Sequence, residues 1–208
     1  ERVEPSSIFM RYNVFEESTW NKYNNFNLFK NYMLTNNIKH YNSKHRDSEV
    51  RKLYNLKIAE KYNLNIPRTV YALKHSNDDM IVKPLMGGSH ASEGNEAIHP
   101  CIIQQKIKGI NKRLFIIKNK TFCFDIITDY LDYRDDDNSI VQESNMDKQT
   151  IKDSKKLARK LNLDFCALDF INDGDKNWFL EVNTMPMFST FSEYTNNKLS
   201  KTIYEELQ

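Results

Sequence analysis

The run "DFCALDFINDGDKNWFLEVN", residues 164–183, constrains this chain more than any other stretch. Two apolar segments flank "NDGDKN", and an Asp-Gly pair at the centre of such a connector favours a tight turn between antiparallel strands. Asp169 lies in the first strand, and Glu181 and Asn183 lie in the second. Alternate residues of a strand share a face, so Glu181 and Asn183 point the same way, and Asp169 can lie beside them. Carboxylates in a buried strand are costly without partners. Two partners satisfy them: backbone hydrogen-bond donors, or a metal ion. The set contains oxygen donors only, with no His or Cys, so a metal would be a hard cation such as Mg²⁺. Spacing alone leaves both readings open.

Around this hairpin the chain alternates short strands with a few helices. "MIVKPL" (80–85), "CIIQQKI" (101–107) and "RLFIIKNKTFCFDII" read as strands, the last as a hairpin turning near Asn119 and Lys120. "SEVRKLYNLKIAEKYNLNIP" reads as a helix capped by Ser48, with Glu49 in its first turn, Leu53, Leu56 and Ala59 as an apolar stripe, and Pro67 beyond its end. "DKQTIKDSKKLARKLNL" places Ile151, Leu157, Ala158 and Leu161 at helical spacing. Tyr23, Phe26, Phe29 and Met33 suggest an earlier packed helix. The expected class is α+β with predominantly antiparallel sheet.

Composition narrows the function. The 208 residues are 39% hydrophobic and 28% charged, enough for one generous domain or two lobes sharing a cleft. A net charge of +2 gives no pull toward nucleic acid or a membrane surface. No apolar run approaches a membrane span, and no signal-peptide pattern opens the chain. Cys101, Cys123 and Cys166 sit in strand-like contexts without metal-site spacing, so they read as reduced core residues in a cytoplasmic protein.

Two further stretches can carry chemistry. In "IVKPLMGGSHASEG", Lys83 ends an apolar strand and Gly87, Gly88 and Ser89 follow, so an ammonium and free backbone N–H groups can surround a polyphosphate. The Lys precedes the glycines, so this is not a Walker A loop. A flexible surface loop beside a snorkelling lysine is the plainer alternative. In "CIIQQKIKGINKRLFII" a strand runs through Gln104 and Gln105 into a short connector and returns with Arg113. Backbone groups of the connector can read a base edge and Arg113 can meet phosphate; an ordinary strand with a surface Arg is the alternative.

A helix with a Lys, a strand Lys with a glycine loop, a strand connector, an Arg strand, then Asp…Glu-x-Asn: in this order the segments resemble the ATP-grasp superfamily over about residues 41–190. "VRKLYNLKIAEKYNLNIPRT" resembles the ribosomal-protein glutamate ligase and microviridin-type peptide ligase branch, with Asn63 where that pattern usually has Gly. Asp132-Tyr133-Arg134 is similar to the short D-(W/Y)-R element of the peptide ligases. "SSIFMRYN" is similar to their W-x-R-R region, with Phe9 and Met10 at altered positions. "NTMPMFSTF" resembles the dipeptide-ligase ending N-T-x-P-G, but Met187 stands in place of the glycine, which reads against a D-alanine ligase.

The resemblance implies two α+β lobes gripping ATP, residues 46–108 and 109–208, with residues 1–45 a remnant of an N-terminal region. An oligomer or a separate partner would supply the rest of that region. It implies Lys52 and Lys83 as phosphate ligands and Gly87, Gly88 and Ser89 as the loop over the phosphates. Gln104, Gln105, Lys106 and Ile107 become the adenine connector, and Asn111 stands where an acid often contacts ribose. Arg113 would face the γ-phosphate or an acylphosphate, and Arg134 the carboxylate or intermediate, or else only a salt bridge. Asp169, Glu181 and Asn183 would hold Mg²⁺, with Mn²⁺ as a substitute. The expected activity is ATP-dependent ligation of a carboxylate to an amine or hydroxyl on a peptide or protein. A small-molecule amino-acid ligase and a non-catalytic nucleotide-binding module stay open beside it.

Overall fold

A computed structural model of the chain describes residues 28, 30–45, 52–72, 80–84, 92–93 and 101–208. Strands β1 (Thr69–Ala72), β2 (Met80–Pro84), β3 (Ser92–Glu93) and β4 (Cys101–Gln105) form a smaller sheet in the order β1-β4-β2-β3. Strands β5 (Ile110–Ile117), β6 (Lys120–Ile127), β7 (Ile140–Ser144), β8 (Phe165–Asn172) and β9 (Asn177–Asn183) form a larger one in the order β7-β6-β5-β8-β9. Every pairing within the two sheets is antiparallel. The helices are α1 (30–35), α2 (Lys52–Lys61), α3 (Lys148–Lys160), α4 (Ser189–Glu193) and α5 (Lys198–Leu207). Residues 1–27 (which include Phe9, Met10, Tyr23 and Phe26), Phe29, Ser48 and Glu49 lie outside the described residues.

Turn chemistry fixes the register of the larger sheet. The β5–β6 hairpin closes at Ile117 and Lys120 around Lys118 and Asn119, with Lys118 at φ 50°. The β8–β9 connector uses Gly174 at φ 103°, a conformation a side chain resists. Asp173 holds the same turn by accepting the N–H groups of Asp175 and Lys176 at 3.0 and 2.8 Å. Gly109 lets β5 start hard against β8: a Cβ there would lie 2.1 Å from the Asn172 carbonyl oxygen.

Strand alternation divides the core into two layers. Leu114 and Ile116 of β5 pack with Leu56 and Ala59 of α2 and with Leu157 and Leu161 at the end of α3. Phe115 and Ile117 point the other way, toward Phe191, Leu199, Ile203 and Tyr41. Phe115, Phe124, Phe170 and Phe179 are fully buried, and burying one such side chain is worth roughly 1.5–3 kcal/mol. Three tilted or edge-on ring contacts link Phe115, Phe124 and Phe191.

Helices α2 and α3 end in the same way. Asn63 (φ 63°) follows α2, with Leu64 N donating to Ala59 O at 3.1 Å and Asn63 N donating to Glu60 O at 3.0 Å. Asn162 (φ 55°) follows α3, with Leu163 N bonding Ala158 O at 2.8 Å and Asn162 N bonding Arg159 O at 3.1 Å. Both are Schellman closures, and Asn tolerates the left-handed position better than other residues with a side chain. At the start of α3, Asp147 accepts the Thr150 N–H at 2.8 Å. Among the described residues, no helix is long and apolar enough to cross a membrane.

Candidate functional site

A cleft of about 360 Å³ lies between the two sheets, with Lys83 and Gln104 on the smaller-sheet wall and Arg113, Asp169, Glu181 and Asn183 on the larger-sheet wall. The β8–β9 register pairs Asp169 directly with Glu181, and an irregularity follows between Asp169 and Phe170. Asn183 Nδ2 donates to Asp169 Oδ2 at 2.7 Å. The three residues singled out by the hairpin pattern are therefore brought together at one end of the cleft. With its amide nitrogen committed to Asp169, the Asn183 carbonyl oxygen is left as an acceptor.

Both carboxylates have cationic partners. Arg113 is opposite Asp169 in the β5–β8 register and grips it with a fork, Nε to Oδ1 at 2.7 Å and Nη2 to Oδ2 at 2.9 Å. Its Nη1 donates to the Tyr133 hydroxyl at 2.7 Å, and its plane lies over the rings of Tyr133 and Phe191 at 5.4 and 5.3 Å. Burial opposes the guanidinium charge, but the Asp169 charge and its hydrogen bonds outweigh burial and raise the Arg113 pKa above its ordinary range. Lys52, at the start of α2, stands 3.5 Å from Glu181 Oε2.

Lys83 anchors the opposite wall. Its Nζ donates to Gln104 Oε1 at 2.8 Å, Gln104 Nε2 donates to Thr69 Oγ1 at 3.0 Å, and Thr69 Oγ1 donates to the Pro67 carbonyl at 2.7 Å. The relay follows from register, since Thr69 and Ile81 flank Gln104 on the neighbouring strands. Burial pushes the Lys83 ammonium below its ordinary pKa, assisted by Lys52 and opposed by Glu181, Asp169 and Asp132.

The other expected residues fall in several places. Gln105 and Ile107 line the cleft, as does Asn111, whereas Lys106 is half-buried beside it. The Gln104 side chain is buried and turned toward Lys83 and Thr69. Arg134 belongs to a 3₁₀ turn over Tyr133–Asp135, and its side chain lies outside what is described. Gly87, Gly88 and Ser89 also lie outside the described residues. Pattern reading gave no role to Tyr133, Phe191 or Thr69. Tyr133 sits inside the Asp132-Tyr133-Arg134 element, the one signal that pointed to it.

The donor set suits a hard divalent ion. Two carboxylates and an amide oxygen leave room for water and phosphate oxygens, which is how Mg²⁺ is usually held. Lys52, Lys83 and Arg113 add positive charge around the same space. Such a cleft fits a polyphosphate and a divalent cation together.

No protein-family model and no curated protein matches the chain. Solved structures do. The ATP-grasp ligase PsnB complexed with minimal precursor superposes with a TM-score of 0.76 at 17% identity, covering 98% of this chain and 80% of that one. The macrocyclase MdnC bound with precursor peptide MdnA, from Microcystis aeruginosa MRC, gives 0.72 at 18% identity, over 97% and 77% of the two chains. The D-alanine–D-alanine ligase of Bacillus anthracis gives 0.63 at 17% identity, over 85% and 74%. Paired antiparallel sheets with a cleft between them, superposing on these ligases along nearly the whole chain, identify the fold as that of the ATP-grasp enzymes.

Proposed function

We propose that the chain is an ATP-dependent ligase that joins a carboxylate to an amine or hydroxyl on a peptide or protein substrate. The observation that carries this reading is the opposition of Lys83 to the Asp169–Glu181–Asn183 cluster across one cleft. It is supported by likeness to PsnB, solved with a precursor, Mg and ADP, and to MdnC, solved with its precursor peptide. Residues 46–108 act as the smaller lobe and 109–208 as the larger. The three cysteines, all buried in strands rather than spaced as a disulfide framework, support a cytoplasmic setting.

ATP is a substrate in this scheme. A carboxylate oxygen of the peptide attacks the γ-phosphorus, the bond from that phosphorus to the bridging oxygen breaks, and ADP leaves. The amine or hydroxyl then attacks the acyl carbon, loses its proton, and expels inorganic phosphate. The chain's own task is positioning and charge neutralisation. Lys52 and Lys83 hold phosphate oxygens. Gln105, Lys106 and Ile107 border the base through the backbone, and Gln104 holds Lys83. Two of the five Arg113 N–H groups remain for phosphate after Asp169 and Tyr133 take three. Asp169, Glu181 and Asn183 would hold Mg²⁺, which supplies charge stabilisation to the phosphates when bound.

The test is incubation with ATP, Mg²⁺ and peptides rich in Asp, Glu, Ser, Thr and Lys, followed by mass spectrometry and an ADP assay. The expected result is acceptor-dependent ADP release with loss of one water per bond, abolished in Glu181→Gln. Turnover on free amino acids alone would replace the peptide reading with a small-molecule ligase. Nucleotide binding without turnover on any acceptor would leave a binding module instead.

A further inference from the structure

We propose that Asn42 is a positioning residue for the metal end of the cleft, an assignment that rests on the nucleotide and metal reading above. Asn42 lies in the turn before α2, at φ 57°, far in sequence from the site. Its Oδ1 accepts the N–H groups of Asp164 and Phe165 at 2.9 and 3.0 Å. Its Nδ2 donates to the carbonyls of Phe165 and Thr184 at 2.7 and 2.9 Å. Both amide hydrogens and both acceptor positions are thus used, all on main chain. The Asn42 backbone N–H in turn donates to Asp164 Oδ1, which closes a reciprocal pair.

The location gives this network its meaning. The β8–β9 ladder ends at the pair Ala167 and Asn183. Just beyond that pair the Asn42 amide bridges the two segments, from Phe165 O to Thr184 O. Thr184 directly follows Asn183, whose amide holds Asp169. It also begins the segment that carries Met185, Pro186 and Met187 along the cleft wall. Asn42 therefore fixes the point at which the chain leaves β9, and with it the direction of Asn183.

A general tether is the competing explanation, and the molecule separates the two. Residues 41–45 are held independently of Asn42: the Tyr41 hydroxyl donates to the Ile203 carbonyl at 2.5 Å, and the Tyr41 ring packs on Phe165 at 5.2 Å. His45 Nδ1 lies 2.7 Å from the Leu161 carbonyl. Removing the Asn42 amide leaves these contacts in place and frees Thr184. Tyr41→Phe does the reverse, cutting a tether without touching Thr184.

The experiment is calorimetric titration of ADP into the full chain, once with Mg²⁺ and once with EDTA, for wild type, Asn42→Ala, Asn42→Asp and Tyr41→Phe. Asn42→Asp keeps the side-chain shape and loses both donors, so it carries the test if the alanine variant does not fold. The Mg²⁺-dependent gain in ADP affinity should fall about tenfold in the Asn42 variants, the scale seen when groups behind metal ligands are removed. Affinity in EDTA should stay near the wild-type value, and Tyr41→Phe should keep the full gain. An Asn42 variant with an undiminished gain, or with equal losses in Mg²⁺ and EDTA, overturns the assignment. So does an equal loss of gain in Tyr41→Phe. A wild-type chain with no Mg²⁺-dependent gain overturns the metal reading itself, and this assignment with it.

Discussion

Arg113 and Asp169 face each other across the β5–β8 ladder and meet in a two-pronged ion pair, 2.7 and 2.9 Å long, with side chains only 8% and 19% exposed. Removing one partner strands the other charge in a poorly solvated place. Arg113→Met should therefore cost about 3–5 kcal/mol of unfolding free energy, read from urea denaturation. Arg113→Lys keeps the charge but not the fork and should recover only part of the loss. The double change to Arg113→Met with Asp169→Leu should cost less than Arg113→Met alone, because no unpaired charge remains. Equal losses in both would contradict a coupled pair.

The Lys83 ammonium is desolvated, so it loses its proton below the ordinary lysine value of 10.5, even though Gln104 accepts a hydrogen bond from the charged form. The groups facing it are Glu181, Asp169 and Asp132, which favour the charge, and Lys52, which opposes it. Since the cation is the phosphate-binding form, ADP affinity should be full at lower pH and decline as pH rises through a window below 10.5. Lys83→Arg should remove that inflection. Gln104→Leu should move it to lower pH, because the ammonium loses its acceptor while staying buried. Titrations of ADP across alkaline pH give the answer, and coincident profiles for wild type and Lys83→Arg would refute it.

Asn63 closes α2 in the left-handed conformation. Asn63→Ala should destabilise the protein by about 1 kcal/mol, the cost of a Cβ there without the local hydrogen bonding of Asn. Asn63→Gly should be neutral or slightly stabilising, since glycine takes this position without strain. Denaturant midpoints for the two variants should straddle or touch the wild-type value in that order.

All three cysteines are buried, and burial pushes the Cys123 and Cys166 thiols upward in pKa. Native protein should react with an aromatic disulfide reagent only as fast as it opens. Adding urea should raise the rate in step with the unfolded fraction. A thiol that reacts at once in native buffer would place one of the three at the surface.

Much of the fold was legible because it depends on short-range physics. Apolar runs bounded by "NDGDKN" and by the turn expected near Asn119 and Lys120, observed one residue earlier at Lys118 and Asn119, specify hairpins, and once the β8–β9 hairpin closes, alternation sets Asp169 beside Glu181. The relay from Lys83 through Gln104 to Thr69 was not legible. It needs three strands in one register, and a Gln at a strand end reads equally well as a base contact. The Arg113 fork was hidden for the same reason: phosphate and carboxylate are alike to a guanidinium, and only the β5–β8 register selects Asp169.

The sequence by itself determined where strands turn, where α2 and α3 stop, and which oxygen donors share a strand face. Steric limits on φ and the two-residue period of a strand act over a few neighbours. Tertiary structure decided which cation each acid meets and which amide closes the end of β9. Arg113 and Asp169 are 56 positions apart, and Asn42 and Thr184 are 142 apart. Contacts of that span carry no local signature, because hydrogen-bond geometry between them exists only after the sheet has assembled.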